Sequence, residues 1–204
     1  QGALRLALAP EVLRVATGGQ AFAVRVNEAG IDGVVVGGQR IRTAGDGTVW
    51  PWFGAHDPAR FVSAADLVRG RVPPGRLAGH LVLVGTSAIG LEDYRPTPLG
   101  VAMAGVEIHA QLLENILAGT LLQRPNYAIA VELVTLAVLG GLVIALVPAI
   151  AGTWVLVLAA VTMAGYAGLS WWSFTAQRLL LDPTWPILGT LATLMLMSTA
   201  NYLR

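Results

Sequence analysis

The chain has 204 residues, of which 55% are hydrophobic and only 12% are charged, about half the charged fraction of an average soluble domain. A formal net charge of +1 offers no basic surface for nucleic acid, so we expect no nucleic-acid partner. The absence of cysteine excludes thiolate catalysis, disulfides and cysteine-ligated zinc.

The charged residues are distributed unevenly along the chain. Of the 13 basic and 12 acidic side chains, only Glu132, Arg178, Asp182 and Arg204 follow residue 126. This contrast predicts a soluble domain over residues 1–125 and a membrane domain over residues 126–204.

The N-terminal third of the chain predicts one helix and several short strands. "LRLALAPEVLRVATGG" has apolar residues at helical spacing and a Gly-Gly stop, so we expect a helix that ends near Ala16. "AFAVRV" and "GVVVGGQRIRT" are rich in β-branched residues and bounded by glycine, as short strands are. "GTVWPWFG" also reads as extended, and Pro51 places it at a sheet edge or bulge. Residues 49–53 therefore predict a half-buried strand, with a partner interface as the alternative.

The following residues predict a short helix and a buried strand. In "SAADLVRG", Ser63 is a suitable N-cap and Gly70 follows the end of the helix. "HLVLVG", residues 80–85, has four consecutive apolar residues bounded by loops, which is typical of a strand buried on both faces.

The loop after residue 85 raises the question of phosphate binding. Gly85 and Gly90 have the separation found in a GxxxxGK[ST] loop, but Leu91 and Glu92 stand where lysine and a hydroxyl are needed. Glu92 and Asp93 would also repel a phosphate, and a GxGxxG pattern is absent. We therefore expect no nucleotide.

"AGVEIHAQLLENILAG" predicts the last helix of the soluble domain, with Gly119 as its C-terminal stop. Glu107, Gln111 and Glu114 line the polar face of this helix. The opposite, apolar face comprises Val106, His109, Ala110, Leu113, Ile116 and Leu117.

Three apolar stretches follow, each of a length that crosses a bilayer as a helix. We expect spans at about residues 127–147, 153–174 and 185–203. Their short connections require antiparallel neighbours, so three spans place the soluble domain and the C-terminus on opposite sides of the membrane. The loops carry too few charges to decide the orientation.

Aromatic side chains predict the two membrane interfaces, with Tyr127, Trp171, Trp172 and Trp185 at one and Trp154 and Tyr202 at the other.

Glu132 is the one ionisable residue inside a predicted span. An acid at this depth is a candidate functional residue. It lies five residues after Tyr127, roughly 7–8 Å along a helix. Snorkelling to the headgroups or contact with a partner helix is the alternative, and the position favours that alternative.

The segment "LAGHLVLVGTSAIGLEDYRPTPLGVAMAGVEIHAQLLENILAG" resembles the signature of the CHASE2 domain. That signature is a hydrophobic strand ending in G-T, a D…TPL loop and a P-G-V-E-I-H-A helix; here Ala104 stands where the family has proline. The preceding "IRTAGDGTVWPWFG" and "SAADLVRG" and the three closing spans are also similar to the family. The resemblance runs from about Ile41 to Arg204. It implies a longer upstream part of the domain and an output domain, which we expect beyond these 204 residues.

The resemblance implies a layered α/β extracytoplasmic sensor domain followed by a three-helix transmembrane bundle. The chain would lie in a bacterial inner membrane, with its N-terminal domain periplasmic and its C-terminus cytoplasmic. It would be the input and membrane part of a receptor whose output is an adenylate cyclase, a histidine kinase or a Ser/Thr kinase. The alternative is an accessory subunit of a larger membrane complex.

The partners that we expect are membrane lipid, a second copy of the chain or other membrane subunits, and a small ligand of unknown identity. We expect no cofactor and no metal, because His56, His80 and His109 lack metal-ligand spacing. No arrangement of catalytic residues is legible, so we expect no enzyme.

In α/β domains, ligands gather at the carboxyl ends of strands, and a helix N-terminus suits an anion. Both rules direct attention to the loop after Val84 and to the start of the next helix. The alternative for every residue there is structural, as a cap, a loop contact or a core histidine, and it is the favoured one. The candidate ligand contacts are Thr86, Ser87, Asp93, Arg95, Thr97, Glu107 and His109.

Overall fold

The structure is a computed structural model that describes residues 5–19, 21–28, 30–86, 93–149 and 152–203. The chain forms two compact units, Gln1–Leu121 and Leu122–Arg204. The first unit contains short strands and helices, and the described part of the second is built on three long helices. The mixed α/β class predicted from the sequence is therefore confirmed.

The described part of the first unit contains three α-helices and five strands, with long connections before and after the second helix. They are α1 (Leu8–Ala16), β1 (Phe22–Asn27), β2 (Gly30–Val36), β3 (Gln39–Arg42), α2 (Ala64–Val68), β4 (Tyr94–Pro96), β5 (Ala102–Ala104) and α3 (Gly105–Ala118). The predicted helices ending near Ala16, at 63–70 and at 104–119 are confirmed. At the last of them, Gly119 adopts a left-handed conformation with a φ of 66°, as a helix stop does.

Two antiparallel sheets make up the strand structure of the described residues. One has the order β1-β2-β3 and the other is the β4-β5 hairpin. The stretch predicted as one strand from Gly33 is divided between β2 and β3 by a turn at Gly37 and Gly38, both with positive φ. Because both sheets are antiparallel, their strands do not share one carboxyl edge, and the ligand rule of parallel sheets has no basis in them.

The core of the first unit lies between α1, α3 and the three-stranded sheet. Helix α1 packs against both α3 and β2. Apolar positions of the two helices face the inward side chains of β2 and β3, so one hydrophobic cluster joins all four elements. Its buried members are Ala9, Leu13, Val36, Ile41, Leu113, Ile116 and Leu121.

The prediction of a buried strand at residues 80–85 is wrong. This segment has no strand partner among the described residues, and Val82 and Val84 are 52% and 91% exposed. An apolar run is buried only where another element covers it, and the described strands pair among themselves. The segment touches α3 at one point, because a Cβ placed on Gly85 would lie 2.5 Å from Cβ of Val106.

The second unit contains α4 (Ala128–Leu146), α5 (Gly152–Gln177) and α6 (Thr184–Tyr202). By length and composition, α4 and α5 are able to cross a membrane, and most of their side chains are exposed within the chain. The first two predicted spans are thus supported. Helix α6 has the required length but is less apolar, and the third span stays a prediction. The residues that lower its apolarity are Thr184, Pro186, Thr190, Thr193, Ser198, Thr199 and Asn201.

Helix α4 packs mainly on α6, and small residues allow the close approach. Gly189 of α6 faces Leu136 of α4, and Gly140 of α4 faces Thr193 of α6. Thr190 is fully buried, and its hydroxyl donates to the carbonyl of Pro186 within its own helix. The predicted interfacial aromatic residues are all exposed, at Tyr127, Trp154, Trp171, Trp172, Trp185 and Tyr202.

We predict that Gly85→Ala destabilises the first unit by about 1–3 kcal/mol, because the added methyl group meets Cβ of Val106, which cannot rotate away. Gly75→Ala is the matched control, since nothing lies within 4 Å of its added Cβ. Denaturant unfolding of the purified chain, followed by tryptophan fluorescence, measures both variants. Equal stability of the two would contradict the contact between residue 85 and α3.

Candidate functional site

One face of α3 carries three buried polar residues on successive turns. Glu107, Gln111 and Asn115 are spaced four residues apart, so they lie above one another along the helix. Their exposed fractions are only 6%, 4% and 6%. The amphipathic pattern assigned Glu107 and Gln111 to a polar face together with Glu114, but only Glu114 is exposed. Tertiary contacts, not solvent, therefore satisfy this polar stripe.

The amide side chains of the stripe bind the backbone of an extended segment. Asn115 Oδ1 accepts the N–H of Trp52 at 2.9 Å, and Nδ2 donates to the Trp52 carbonyl at 3.1 Å. Gln111 repeats the arrangement at Gly54, with distances of 2.9 Å and 3.3 Å. Each primary amide thus provides one donor and one acceptor, as a neighbouring strand would.

The repeat lengths of the two elements explain this match. Four residues of helix rise about 6.0 Å, and two residues of extended chain rise about 6.6–6.8 Å. Residues 115, 111 and 107 can therefore face residues 52, 54 and 56 in the opposite chain direction. We call this set of six residues the α3 ladder. Two features of the sequence accompany this set. Polar residues recur at every fourth position of α3, and the residues they contact are every second residue of an extended stretch.

The third pair of the α3 ladder, His56 and Glu107, has the geometry of an ion pair. Nδ1 of His56 lies 3.0 Å and 2.9 Å from the two carboxylate oxygens of Glu107. The Glu107 side chain is 6% exposed, whereas that of His56 is 53% exposed and lies 5.0 Å from the ring of Phe61, centroid to centroid. The α3 ladder thus ends in a solvent-facing imidazole that is joined directly to a buried carboxylate.

Three of the predicted ligand residues lie around the first turn of α3. Asp93 is so close to Gly105 that a Cβ there would lie 2.5 Å from Oδ1, and the Asp93 carbonyl accepts the Gly105 N–H at 2.7 Å. Thr86 is exposed and follows Gly85, which contacts the same turn. Glu107 is the third. The Asp93 carboxylate itself supplies the negative charge that a helix N-terminus favours.

The remaining predicted residues are not gathered there. Arg95 is exposed on β4, and Thr97 closes the turn of the β4-β5 hairpin through two hydrogen bonds to the Val101 carbonyl. His109 is partly buried, and its Nδ1 has no hydrogen-bond partner within the described part of the chain. Ser87 lies outside the described residues. A ligand-binding role for the whole set stays a prediction.

The structure adds His56, Gln111 and Asn115 to the residues of interest. Sequence reasoning did not select them as site residues. His56 is 51 residues from Glu107, and no local motif marks His56, Gln111 or Asn115. In the segments that the structure describes, no group of three or more His, Cys, Asp or Glu residues could hold a metal ion. The contacts within the α3 ladder are amide–backbone hydrogen bonds and one histidine–carboxylate pair.

We predict that Asn115→Ala accelerates hydrogen exchange at the Trp52 N–H but leaves the Gly54 N–H protected, because each amide serves one rung. Gln111→Ala should show the reverse pattern. Each variant should lower stability by about 1–2 kcal/mol, since a part-buried backbone group loses its partner. Exchange resolved to single residues provides the measurement.

Glu114→Ala is the control for both variants. Glu114 lies on the same helix but is exposed and pairs with exposed Arg60 at 2.6 Å, and exposed pairs contribute little to stability. Loss of protection at both rungs in either ladder variant would contradict separate rungs and indicate that the segment detaches as one piece.

Comparison with known proteins identifies the family of this chain. The family described as CHASE2 domain matches residues 3–150, a range that includes the described elements of the first unit and α4. No curated protein and no solved structure matches the chain. The matched range is well over half of the 204 residues and contains both the α3 ladder and the loop that leads to α3. The chain belongs to the CHASE2 domain family, a family of sensory extracytoplasmic domains in bacterial receptors.

Proposed function

We propose that this chain is the sensory input and transmembrane signal-transmitting module of a bacterial receptor. The first unit would be periplasmic, the C-terminus would be cytoplasmic, and a cyclase or kinase output would lie beyond Arg204. The observation that carries the proposal is the α3 ladder in a sensory domain, because it joins an exposed side chain to the helix that precedes the membrane helices in the chain.

The α3 ladder suits a sensory element for a physical reason. A ligand or partner that binds the exposed imidazole of His56 changes the interactions of buried Glu107, since the two side chains are in direct contact. The rungs at Gly54 and Trp52 tie the same extended segment to the next two turns of α3. A second arrangement of this segment would therefore shift α3, and a ligand that prefers one arrangement would select it.

Ligand contacts would come from residues near the start of α3. Thr86 is exposed there, Asp93 is partly buried at the first turn, and buried Glu107 is in contact with exposed His56. These groups offer hydroxyl and carboxylate oxygens, and His56 adds an imidazole. We propose that the site binds a small polar ligand and performs no catalysis, with no cofactor or metal required.

The membrane part would have three crossings, with α6 as the third. Helices α4 and α5 have the length and apolarity of spans. An odd number of crossings is needed to connect a periplasmic input with a cytoplasmic output, and α6, with 19 residues, is long enough to supply it. Its threonine hydroxyls reduce the cost of burial by bonding to carbonyls of the preceding turn, as at Thr190 and Thr193.

The proposed topology is tested by labelling single cysteines, because the natural chain contains none. With a membrane-impermeant maleimide on intact cells, we expect Ala55→Cys and Gln177→Cys to react. Ala149→Cys and Asn201→Cys should react only after the membrane is permeabilised. All four positions are exposed within the chain. Reaction of Asn201→Cys in intact cells would contradict a third crossing by α6.

The receptor assignment is tested by the native mass of the complex extracted gently from its own membranes. We expect a homodimer in which each chain carries a longer C-terminal cyclase or kinase region. The alternative is an accessory subunit of a larger membrane complex, which would instead appear in fixed stoichiometry with unrelated membrane proteins. A chain that ends near Arg204 in such a complex would overturn the receptor proposal.

A further inference from the structure

Glu132 of α4 is a buried carboxylate in the second unit that the proposed sensory site does not use. Glu132 is only 6% exposed, although it lies inside one of the candidate membrane spans. Both carboxylate oxygens have partners. Oε2 accepts a hydrogen bond from the Arg124 guanidinium at 3.0 Å, and Oε1 accepts the backbone N–H of Asp182 at 2.8 Å.

These two partners come from segments far apart in the chain. Arg124 belongs to the segment 122–124 that leads into α4, which we call the leading segment. Asp182 belongs to residues 178–182, which connect α5 with α6 and which we call the connecting segment. Glu132 is thus the point at which the leading segment, the connecting segment and α4 meet.

A backbone bridge joins the same two segments directly. The N–H of Gln123 donates to the Arg178 carbonyl at 2.9 Å, and the Gln123 carbonyl accepts the Leu180 N–H at 2.8 Å. These bonds place Gln123 beside Leu179 in a parallel bridge. A single bridge of two hydrogen bonds is weak by itself, so the two contacts of Glu132 add substantially to the attachment.

The connecting segment is also fixed to the helices on either side of it. Ser170 Oγ of α5 donates to the Leu181 carbonyl at 2.8 Å, and the Leu179 N–H donates to the Ser173 carbonyl at 3.0 Å. Asp182 Oδ1 accepts the N–H of Thr184, the first residue of α6. The hydroxyl and N–H of Thr184 hold the pKa of Asp182 below its ordinary value, so this side chain stays charged at the positive end of α6.

A carboxylate at this position is costly unless it is paired, because a charge without partners is poorly tolerated away from water. Arg124 is 34% exposed and keeps its guanidinium in reach of water, while Glu132 is covered by protein. Loss of either contact of Glu132 therefore leaves a buried charge that is poorly solvated. This cost distinguishes the contacts of Glu132 from the neutral backbone bridge beside them.

We propose that Glu132 is a positioning residue that holds the leading and connecting segments against α4, so that a displacement of residues 122–124 moves the beginnings of α4 and α6 and the end of α5 together. The proposal concerns the second unit alone and goes beyond the sensory assignment. Only its value for signalling rests on the proposed function. Without Glu132, the leading and connecting segments would lose both carboxylate contacts and keep the Gln123 bridge.

The test uses disulfide cross-linking in the full chain, in membranes, on the natural cysteine-free background. Gln123→Cys with Leu179→Cys reports the contact between the two segments, because neighbouring residues of a bridge have a separation that a disulfide can span. Gly140→Cys with Thr193→Cys reports the packing of α4 on α6 away from Glu132. The rate of cross-linking under mild oxidation is measured for both pairs.

We expect Glu132→Ala to slow the 123–179 cross-link at least about tenfold. Loss of one hydrogen bond to a charged group changes an equilibrium by about this factor. Glu132→Gln should have a smaller effect, because its carbonyl can still accept the Asp182 N–H. Arg124→Gln should slow the same cross-link. The 140–193 cross-link should keep its rate in all three variants, and Val134→Ala, at an exposed position of α4, should change neither rate.

Two outcomes would overturn the proposal. Unchanged 123–179 cross-linking in Glu132→Ala would show that the backbone bridge needs no support from the carboxylate. Slowing of both cross-links would show that Glu132 serves assembly of the helices in general and does not position these segments. Neither result depends on a ligand, an output domain or the membrane orientation, so failure here is distinct from failure of the receptor proposal.

Discussion

The hydrogen bonds of Asn115 and Gln111 to Trp52 and Gly54 hold an extended segment against α3. Backbone donors and acceptors that leave water must find partners, and this requirement limits how the segment can be covered. The helix meets it with primary amides, since each carries a donor and an acceptor on one rigid group. The position of His56 and the burial of Glu107 both depend on this attachment, because residue 56 is simply the next alternate position along the same segment.

The same requirement governs the second unit at a different place. The connecting segment between α5 and α6 is irregular, with Arg178 at a φ of 58°. Backbone donors and acceptors of such a segment need partners wherever they leave water. Gln123, Ser170 and the carboxylate of Glu132 provide these partners. In both units, then, polar side chains on a helix, Asn115 and Gln111 in the first and Ser170 and Glu132 in the second, bind the backbone of an irregular segment.

This arrangement has consequences for how a CHASE2 domain could respond to its surroundings. The exposed imidazole of His56 and the buried carboxylate of Glu107 form a boundary between solvent and interior. Contacts made of a few directional hydrogen bonds have discrete alternatives, unlike the close-packed apolar core formed by α1, α3 and the sheet. The ladder is therefore a better candidate for a two-state element than the hydrophobic core of the same unit.

The local elements were accessible from the sequence because they depend on neighbouring residues. Glycine stops, helical spacing and apolar length predicted α1, α2, α3 and the first two spans, and the motif around residues 80–119 indicated the family. Patterns alone could not decide which polar face would be buried. The amphipathic pattern of α3 has the same appearance whether Gln111 and Asn115 face water or a backbone 57–63 residues away.

The apolar run at residues 80–85 shows the converse limit. Its composition indicates burial, yet burial requires a covering element, and in the described structure Val84 lies in the open. One partner of Glu132, the backbone N–H of Asp182, likewise comes from a connecting segment 50 residues later in the chain. The sequence by itself determined the helices, the two apolar spans and the family, because those depend on local pattern and composition. Only the tertiary structure decided the α3 ladder and the contacts of Glu132, because hydrogen bonds between distant residues depend on where the whole chain brings them.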